Sequence, residues 1–115
     1  MARYTCLFTI TNNIDRLQSD LIDILENSDF NIVYHSGDYL MARERPGRVN
    51  YSQLVTVEVL IDKSLDDSLK AKLNLVIKNE ELPLHFNNHC RAKFDLLNEK
   101  IRSNSSWKLL EHVQG

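Results

Sequence analysis

The fold is decided by the stretch from Phe30 to Ile61, which reads FNIVYHSGDYLMARERPGRVNYSQLVTVEVLI. Residues typical of strands are dense in three parts of it: Phe30–His35, Tyr39–Glu44 and Leu54–Ile61. The link Ser36-Gly37-Asp38 suits either a tight turn or a β-bulge. With a turn, the stretch predicts a three-stranded meander. With a bulge, it predicts one long bent strand that pairs with the next.

The strand Leu54–Ile61 has two faces of different character. One face is β-branched throughout and is predicted to point into the core: Val55, Val57, Val59 and Ile61. The other is mixed: Leu54, Thr56, Glu58 and Leu60. A first strand, Arg3–Ile10, repeats this division, with Tyr4, Cys6, Phe8 and Ile10 inward and Arg3, Thr5, Leu7 and Thr9 outward. We expect the two mixed faces to be covered, either by a C-terminal helix or by a second copy of the chain.

Apolar residues spaced three and four apart predict three helices. The stripes are Ile14, Leu17, Leu21, Ile24 and Leu25; then Leu65, Leu69, Leu73, Val76 and Ile77; then Cys90, Phe94, Leu97 and Ile101. Ser64 and Asp67 are typical of the start of the second helix. Leu82, Leu84 and Phe86 alternate around Pro83 and predict a short edge strand. Trp107–Val113 is either one more helical turn or a docked tail.

The predicted order of elements is β-α-β-β-α-β, followed by a C-terminal helix. This is the order of a ferredoxin-like α+β sandwich, with its helices on one face of the sheet. A chain of 115 residues fits one domain. We expect its core over residues 2–87 and a helical extension over residues 88–113. The fold hosts many unrelated functions, so it does not by itself assign one.

The composition is that of an ordinary globular protein, with 43% hydrophobic and 26% charged residues. No apolar run approaches the ~18–20 residues of a membrane span, and no signal peptide is apparent. We therefore expect a cytoplasmic protein that does not bind membranes. Cys6 and Cys90 lie far apart, which favours two buried thiols. The net charge of -2 gives no overall attraction for nucleic acid.

Catalytic and metal-binding motifs are sparse. Three unclustered glycines exclude the usual dinucleotide-binding and phosphate-binding loops. His85 and His89 would share one face of a helix and are the best metal candidates. The alternation around Pro83 places His85 on a strand instead, so we expect no metal or cofactor. His35 lies beside Ser36, but neighbours on a strand do not converge as a catalytic triad must. We therefore assign no catalytic residue.

The loop after Tyr39–Glu44 is locally basic. Arg43, Arg45 and Arg48 surround Pro46-Gly47, which is typical of a turn. Arginine side chains bind carboxylates and phosphates with two parallel hydrogen bonds. An ordinary solvated hairpin loop is the plain alternative to a binding site here.

The sequence favours a non-enzymatic binding or regulatory module that acts through protein–protein contacts. The predicted contact residues are Leu7, Leu54 and Leu60 on the mixed sheet face, with Arg43, Arg45 and Arg48 at its rim. The predicted partner is a second copy of the chain, another protein, or both. Nucleic acid bound at the three arginines is the alternative. A second alternative is a small enzyme of the dimeric α+β barrel kind, with a cavity that contains His35 or His85.

Overall fold

The computed structural model describes residues 1–11, 14–63, 70–82 and 87–115. Its strands are β1 (Ala2–Thr11), β2 (Phe30–His35), β3 (Tyr39–Glu44), β4 (Thr56–Lys63), β5 (Lys70–Asn79) and β6 (Lys108–Gln114). Its helices are α1 (Leu17–Glu26) and α2 (His89–Arg102), with single 3-10 turns at Ile14–Arg16 and Tyr51–Gln53. None of the helices in these ranges is long and apolar enough to cross a membrane.

The strands form one antiparallel sheet in the order β2-β3-β4-β5-β1-β6. From β2 to β5 the strands follow one another as a meander. The first strand of the chain then lies between β5 and β6, so that Leu7 is opposite Asn74 on one side and Val113 on the other. This register determines which side chains meet on each face of the sheet.

Both helices pack on one face of the sheet, where alternate strand residues are buried as predicted. On β4 the inward set is Val57, Val59 and Ile61, preceded by Val55, and all four are buried. The helices contribute Leu17, Leu21 and Leu25 from α1 and Cys90, Phe94, Leu97 and Ile101 from α2. Tyr4 is half-buried and its ring stacks on Phe94, with centroids 5.5 Å apart. The predictions for β1, β4, α1 and α2 are therefore confirmed, except that Ile14 lies in the 3-10 turn before α1 and not in the helix.

The second predicted helix is wrong where the structure describes it. Lys70–Asn79 is the strand β5, with Ala71, Leu73, Leu75 and Ile77 buried and Lys70, Lys72 and Asn74 exposed. A period of two fits this segment better than the match at Leu73, Val76 and Ile77 to a helical stripe. The predicted helix start at Ser64 and Asp67, with Leu65 and Leu69, lies outside the described residues. The fold is α+β, but its strand order is not the ferredoxin-like one.

Two further predictions concern the segments that precede and follow α2. Trp107–Val113 is neither a helical turn nor an irregular tail, because Lys108–Gln114 pairs with β1 as the edge strand β6. Trp107 itself is buried, and its indole N–H donates to the carbonyl of Ile101 at 3.0 Å. Leu82 lies outside any strand and is 72% exposed. Leu84 and Phe86 fall outside the described residues.

The choice at Ser36-Gly37-Asp38 is decided in favour of a turn. Ser36 N–H donates to the carbonyl of Tyr39 at 2.8 Å, which closes a hairpin between β2 and β3. A register shift does occur in this hairpin, but it lies between Ile32 and Tyr34. The three-stranded meander is thus confirmed, and β5 extends it to four strands.

Candidate functional site

The sheet face opposite the helices is not covered by any described residue. Its side chains line up in rows across the strands, because the register places outward residues directly opposite one another. One row runs Tyr39, Leu60, Asn74, Leu7, Val113 from β3 to β6. The next runs Tyr34, Met41, Glu58, Val76, Thr5 from β2 to β1. We call this surface the open face.

Most members of these two rows are apolar. We call them together the apolar band: Leu7, Tyr34, Tyr39, Met41, Leu60, Val76 and Val113. Leu60 is 49% exposed, Val113 47% and Tyr34 56%. The rings of Tyr34 and Tyr39 lie 5.9 Å apart, so this end of the band is already packed. A band that crosses every strand of the sheet is more than the scattered apolar exposure of an ordinary surface.

Charged rows border the apolar band on both sides. The basic row contains Arg43, Lys78 and Arg3, aligned through Thr56 of β4. The acidic row, on the other side of the band, contains Asp62 and Glu111 together with Lys72. Lys78 forms an ion pair with Glu58 at 2.9 Å. The open face is thus apolar along its middle and of opposite charge along its two borders.

The structure separates the three leucines predicted at the site. Leu7 and Leu60 share one row, with Asn74 between them, so their strands are about 10 Å apart. Leu54 lies just before β4, near the opposite end of the sheet, and is half-buried. It belongs to a groove described below and not to the apolar band.

The three arginines also separate. Arg48 forms an ion pair with Asp29 at 2.8 Å, and Arg45 lies 3.9 Å from the same carboxylate. Arg45 also donates through Nε to the side-chain oxygen of Asn31 at 2.9 Å. Asp29, three residues after the end of α1, has a positive φ of 70°. Arg43 has no ion pair or side-chain hydrogen bond with any described residue.

A groove of about 760 Å³ opens at the basic border of the open face. Its floor is formed by outward residues of the meander, among them Val33, Met41, Arg43 and Thr56. Its far wall is lined by Leu54 and by Tyr51, the first residue of the 3-10 turn Tyr51–Gln53. We call it the Arg43 groove.

A buried polar network holds the wall of this groove. Asn79 donates from Nδ2 to the carbonyl of Gln53 at 3.0 Å and to Glu81 Oε1 at 2.6 Å. The Glu81 carboxylate also accepts from the backbone N–H of Cys90 at 2.9 Å and of His89 at 3.2 Å. Burial alone would raise the pKa of Glu81, but the bonds from Asn79, Cys90, His89 and Gln53 together lower it below its usual value.

A second buried carboxylate, Glu44, joins β3 to α2. Nε2 of His89 lies 2.8 and 2.9 Å from its two oxygens, and Lys93 Nζ lies at 3.9 Å. The N–H of Val55 donates to the same carboxylate at 3.2 Å. His89, the metal candidate, is thus engaged by Glu44, and His85 lies outside the described residues. The described part of the chain contains no group of three or more ligand-type side chains that fits a metal ion.

The two cysteines and His35 do not form a reactive centre with this network. Burial raises the pKa of the Cys6 thiol to about 11 and that of Cys90 to about 12. A thiol must lose its proton to act as a nucleophile, so neither is activated at neutral pH. His35 is exposed at the end of β2 and does not line the Arg43 groove.

A smaller hollow of about 320 Å³ lies between the C-terminal halves of α1 and α2. Its lining is polar, with Asp20, Asp23 and Lys100 among its residues. The ammonium of Lys100 already donates to the hydroxyl of Ser28 at 2.9 Å. This hollow lacks the apolar surface of the Arg43 groove.

The chain matches no protein-family model, no curated protein and no solved structure.

Sequence reasoning missed several residues of these two sites. Met41 and Val33 were assigned to strands, but their outward direction follows only from the register and the bulge between Ile32 and Tyr34. The sequence places Val76 on a helix and Val113 in a helical turn or a docked tail, so neither is predicted on a sheet face. The signal that was available is the alternation in KAKLNLVIKN, which places Val76 beside Lys78 on the outward side.

Proposed function

We propose that this protein is a non-enzymatic binding module that self-associates through the apolar band of its open face. The observation that carries the proposal is the extent of the band, whose members lie on all six strands, with Asn74 between Leu60 and Leu7 in one row and Glu58 between Met41 and Val76 in the other. Burying this surface against an equal surface removes apolar area from water on both copies. Leu7 and Leu60, expected from the sequence to bind a partner, lie on either side of Asn74 near the middle of the band.

The size of the open face suits a stable homodimer. Six strands at about 4.8 Å spacing and four rows of outward residues give an area on the order of 600–700 Å² per copy. Specific interfaces bury about 600–1,000 Å² per partner. The face is therefore large enough for specific association, but it leaves little area to spare.

The charges on the open face favour one way of pairing. In this pairing the two-fold axis lies in the interface and runs along the apolar band, perpendicular to the strands. The axis reverses the strand direction of the second copy relative to the first. Arg3 and Arg43 of each copy then face the acidic row of the partner, with Asp62 and Glu111. Lys78 faces the partner's Lys72, but its charge is already paired with Glu58. Opposite charges at the rim of an interface select orientation and suppress wrong pairings. The same arrangement discourages a dimer in which the two basic rows meet.

The test is the oligomeric state of matched variants. We expect the wild type to sediment as a dimer at micromolar concentration and Leu60→Asp to sediment as a monomer, because a carboxylate in the buried band has no partner. Leu82→Asp is the control, since Leu82 is a more exposed leucine outside the band. A wild type that is monomeric at about 100 μM, which corresponds to binding weaker than about 5.5 kcal/mol, overturns the proposal.

The alternatives have less support. Nucleic-acid binding at Arg43, Arg45 and Arg48 is weakened because Asp29 engages two of the three arginines. A binding constant for RNA or DNA that falls steeply with salt, and falls again on replacing Arg43, would favour it. The small-enzyme alternative needs His35 or His85 in a closed cavity, and His35 lines neither of the two concavities described above. A cytoplasmic location remains part of this proposal and agrees with two buried free thiols.

A further inference from the structure

We propose that the Arg43 groove binds a small amphipathic carboxylate, an organic acid whose apolar body lies along the groove and whose carboxylate is held by Arg43. This site goes beyond self-association, and because it shares Met41 and Arg43 with the open face, a bound ligand and a second copy of the chain would compete for these residues. Of the three arginines in this basic region, only Arg43 is then a ligand-binding residue.

Both rims of the groove are held in place by contacts that do not involve a ligand. On the loop side, Arg45 binds Asn31 at 2.9 Å and Arg48 binds Asp29 at 2.8 Å. On the other side, Asn79 donates to the carbonyl of Gln53, and Asn50 and Gln53 cap the 3-10 turn reciprocally. A site whose walls are already ordered loses less conformational entropy when a ligand binds.

The interior of the groove combines apolar surface with the guanidinium of Arg43, which is not engaged by any other described residue. Val33 is 55% exposed and Tyr51 82% exposed, and both line the groove with Met41 and Leu54. Small-molecule sites are mostly apolar, occupy roughly 300–1,000 Å³ and carry a few polar groups that orient the ligand. The volume of about 760 Å³ and the single guanidinium of Arg43 fit this description.

The other charges at the groove favour a ligand with a single negative charge. Lys78 is paired with Glu58 at 2.9 Å, and the buried carboxylate of Glu44 is engaged by His89 and Val55. Glu80 lies exposed at the rim and opposes a ligand with several negative charges. A monoanion with an apolar body therefore suits the groove better than a polyphosphate or a nucleic acid. Arginine binds a carboxylate through two parallel hydrogen bonds.

Octanoate is the probe, and two matched molecules test the contribution of its negative charge. Octylammonium carries the same chain with the opposite charge, and octanol carries it with none. Each is titrated below its micelle-forming concentration into the ¹⁵N-labelled Leu60→Asp variant, whose open face is expected to be free. We expect saturable shifts at the amides of Val33, Arg43 and Thr56 with octanoate, and weaker or no shifts with the other two.

Two substitutions decide whether Arg43 selects the ligand. Arg43→Gln is expected to weaken octanoate binding roughly 10- to 100-fold, since it removes a charge-assisted pair of hydrogen bonds. Arg3→Gln is the control, because it removes the same charge from the same row without touching the groove, and we expect a change of less than about twofold. Equal binding by octylammonium, or equal loss in both variants, overturns the proposal.

The outcome is separable from that of the self-association test. The amide spectrum of each variant reports whether it is folded, so a lost response is not mistaken for unfolding. Octanoate shifts in a wild type that is monomeric support the groove while the dimer fails. Shifts seen in the wild-type dimer but absent from folded Leu60→Asp overturn the groove as a site of the single chain. A hydrophobic tetrapeptide with a free C-terminus that binds more tightly than octanoate also overturns it, in favour of a peptide ligand.

Discussion

Glu81 has its carboxylate at the amino end of α2, where it accepts the N–H groups of His89 and Cys90. These amides have no partner inside the helix, and a negative charge there is also favoured by the helix dipole. Asn88 completes the start of the helix by accepting from Arg91 N–H at 2.9 Å. Because Glu81 also binds Asn79, one side chain ties the helix start to the end of β5.

At this residue scale we predict that Glu81→Gln lowers the free energy of unfolding by roughly 1–3 kcal/mol at pH 7. The amide group can replace only one of the two carboxylate oxygens, so a buried donor loses its partner. The measurement is urea unfolding. Glu80→Gln is the control, since Glu80 is adjacent but exposed, and it should change stability by less than about 0.5 kcal/mol.

The pH dependence of Glu81→Gln follows from the lowered pKa of Glu81. A carboxyl with a lower pKa in the folded protein stabilises the fold above its unfolded pKa of about 4.3, and this contribution is lost as pH falls through the folded value. The difference in free energy of unfolding between wild type and variant should therefore be largest at pH 7 and should decrease toward pH 3. A difference that is constant over this range contradicts the account.

At the scale of elements, β6 is held to the sheet by few buried side chains. Its inward residue His112 packs on Phe8, with ring centroids 5.0 Å apart. Nε2 of His112 is buried without a hydrogen-bond partner among the described residues. Burial, with a smaller effect from Arg102, lowers the pKa of His112 below its usual value. The fold therefore favours the neutral form of His112 in the edge strand β6.

We predict that acid weakens β6 before the rest of the sheet. Because the pKa of His112 is lowered in the fold, the unfolded chain takes up a proton first as pH falls below about 6.5, and stability declines from there. His112→Phe should be at least as stable at pH 7.5 and should lose less stability between pH 7.5 and 5.5. Hydrogen exchange at β6 amides measures this. Equal acid sensitivity in the two proteins would show that His112 is not responsible.

The elements that sequence predicted correctly are those with one unambiguous period. Val55 to Ile61 alternate over a full strand, and Cys90 to Ile101 repeat over a full helix. Lys70–Asn79 satisfies both patterns in part, since Leu73, Val76 and Ile77 fit a helix and Ala71 to Ile77 fit a strand. The strand prevails because β4 and β1 lie on either side of it and use all its backbone groups. That is a tertiary effect, which local periodicity does not contain.

The candidate sites were predictable only in part for the same reason. Alternation correctly assigned Leu7 and Leu60 to the outward face. It did not indicate that Asp29 would engage Arg45 and Arg48, because that contact depends on how the chain turns after α1. The Arg43 groove likewise requires the 3-10 turn at Tyr51–Gln53 to stand beside the meander.

At the scale of the whole molecule, the net charge of -2 is small, but the charged side chains are unevenly distributed over the surface. The open face carries a basic row and an acidic row on opposite borders of an apolar middle. Such a surface is complementary to itself only in one relative orientation. The orientation of the proposed dimer is therefore testable through its charges alone.

We predict that Arg3→Glu and Glu111→Arg each raise the dimer dissociation constant roughly three- to tenfold, and that the double variant regains most of the loss. The reason is that Arg3 and Glu111 lie in rows that face each other across the proposed two-fold axis. Sedimentation equilibrium of the four proteins measures the coupling. Additive losses in the double variant would exclude this orientation and favour one in which like rows meet.

The position of β1 in the sheet has a consequence for how the chain reaches this structure. The meander from β2 to β5 forms from neighbours in sequence, whereas β1 must find β5 and then β6 across most of the chain. Contacts of high sequence separation carry a large loop-closure entropy and slow folding. We therefore expect the meander to form early and the pairing of β1 with β5 and β6 to limit the folding rate. Until then the inward sides of Phe8 and Leu73 remain exposed to water.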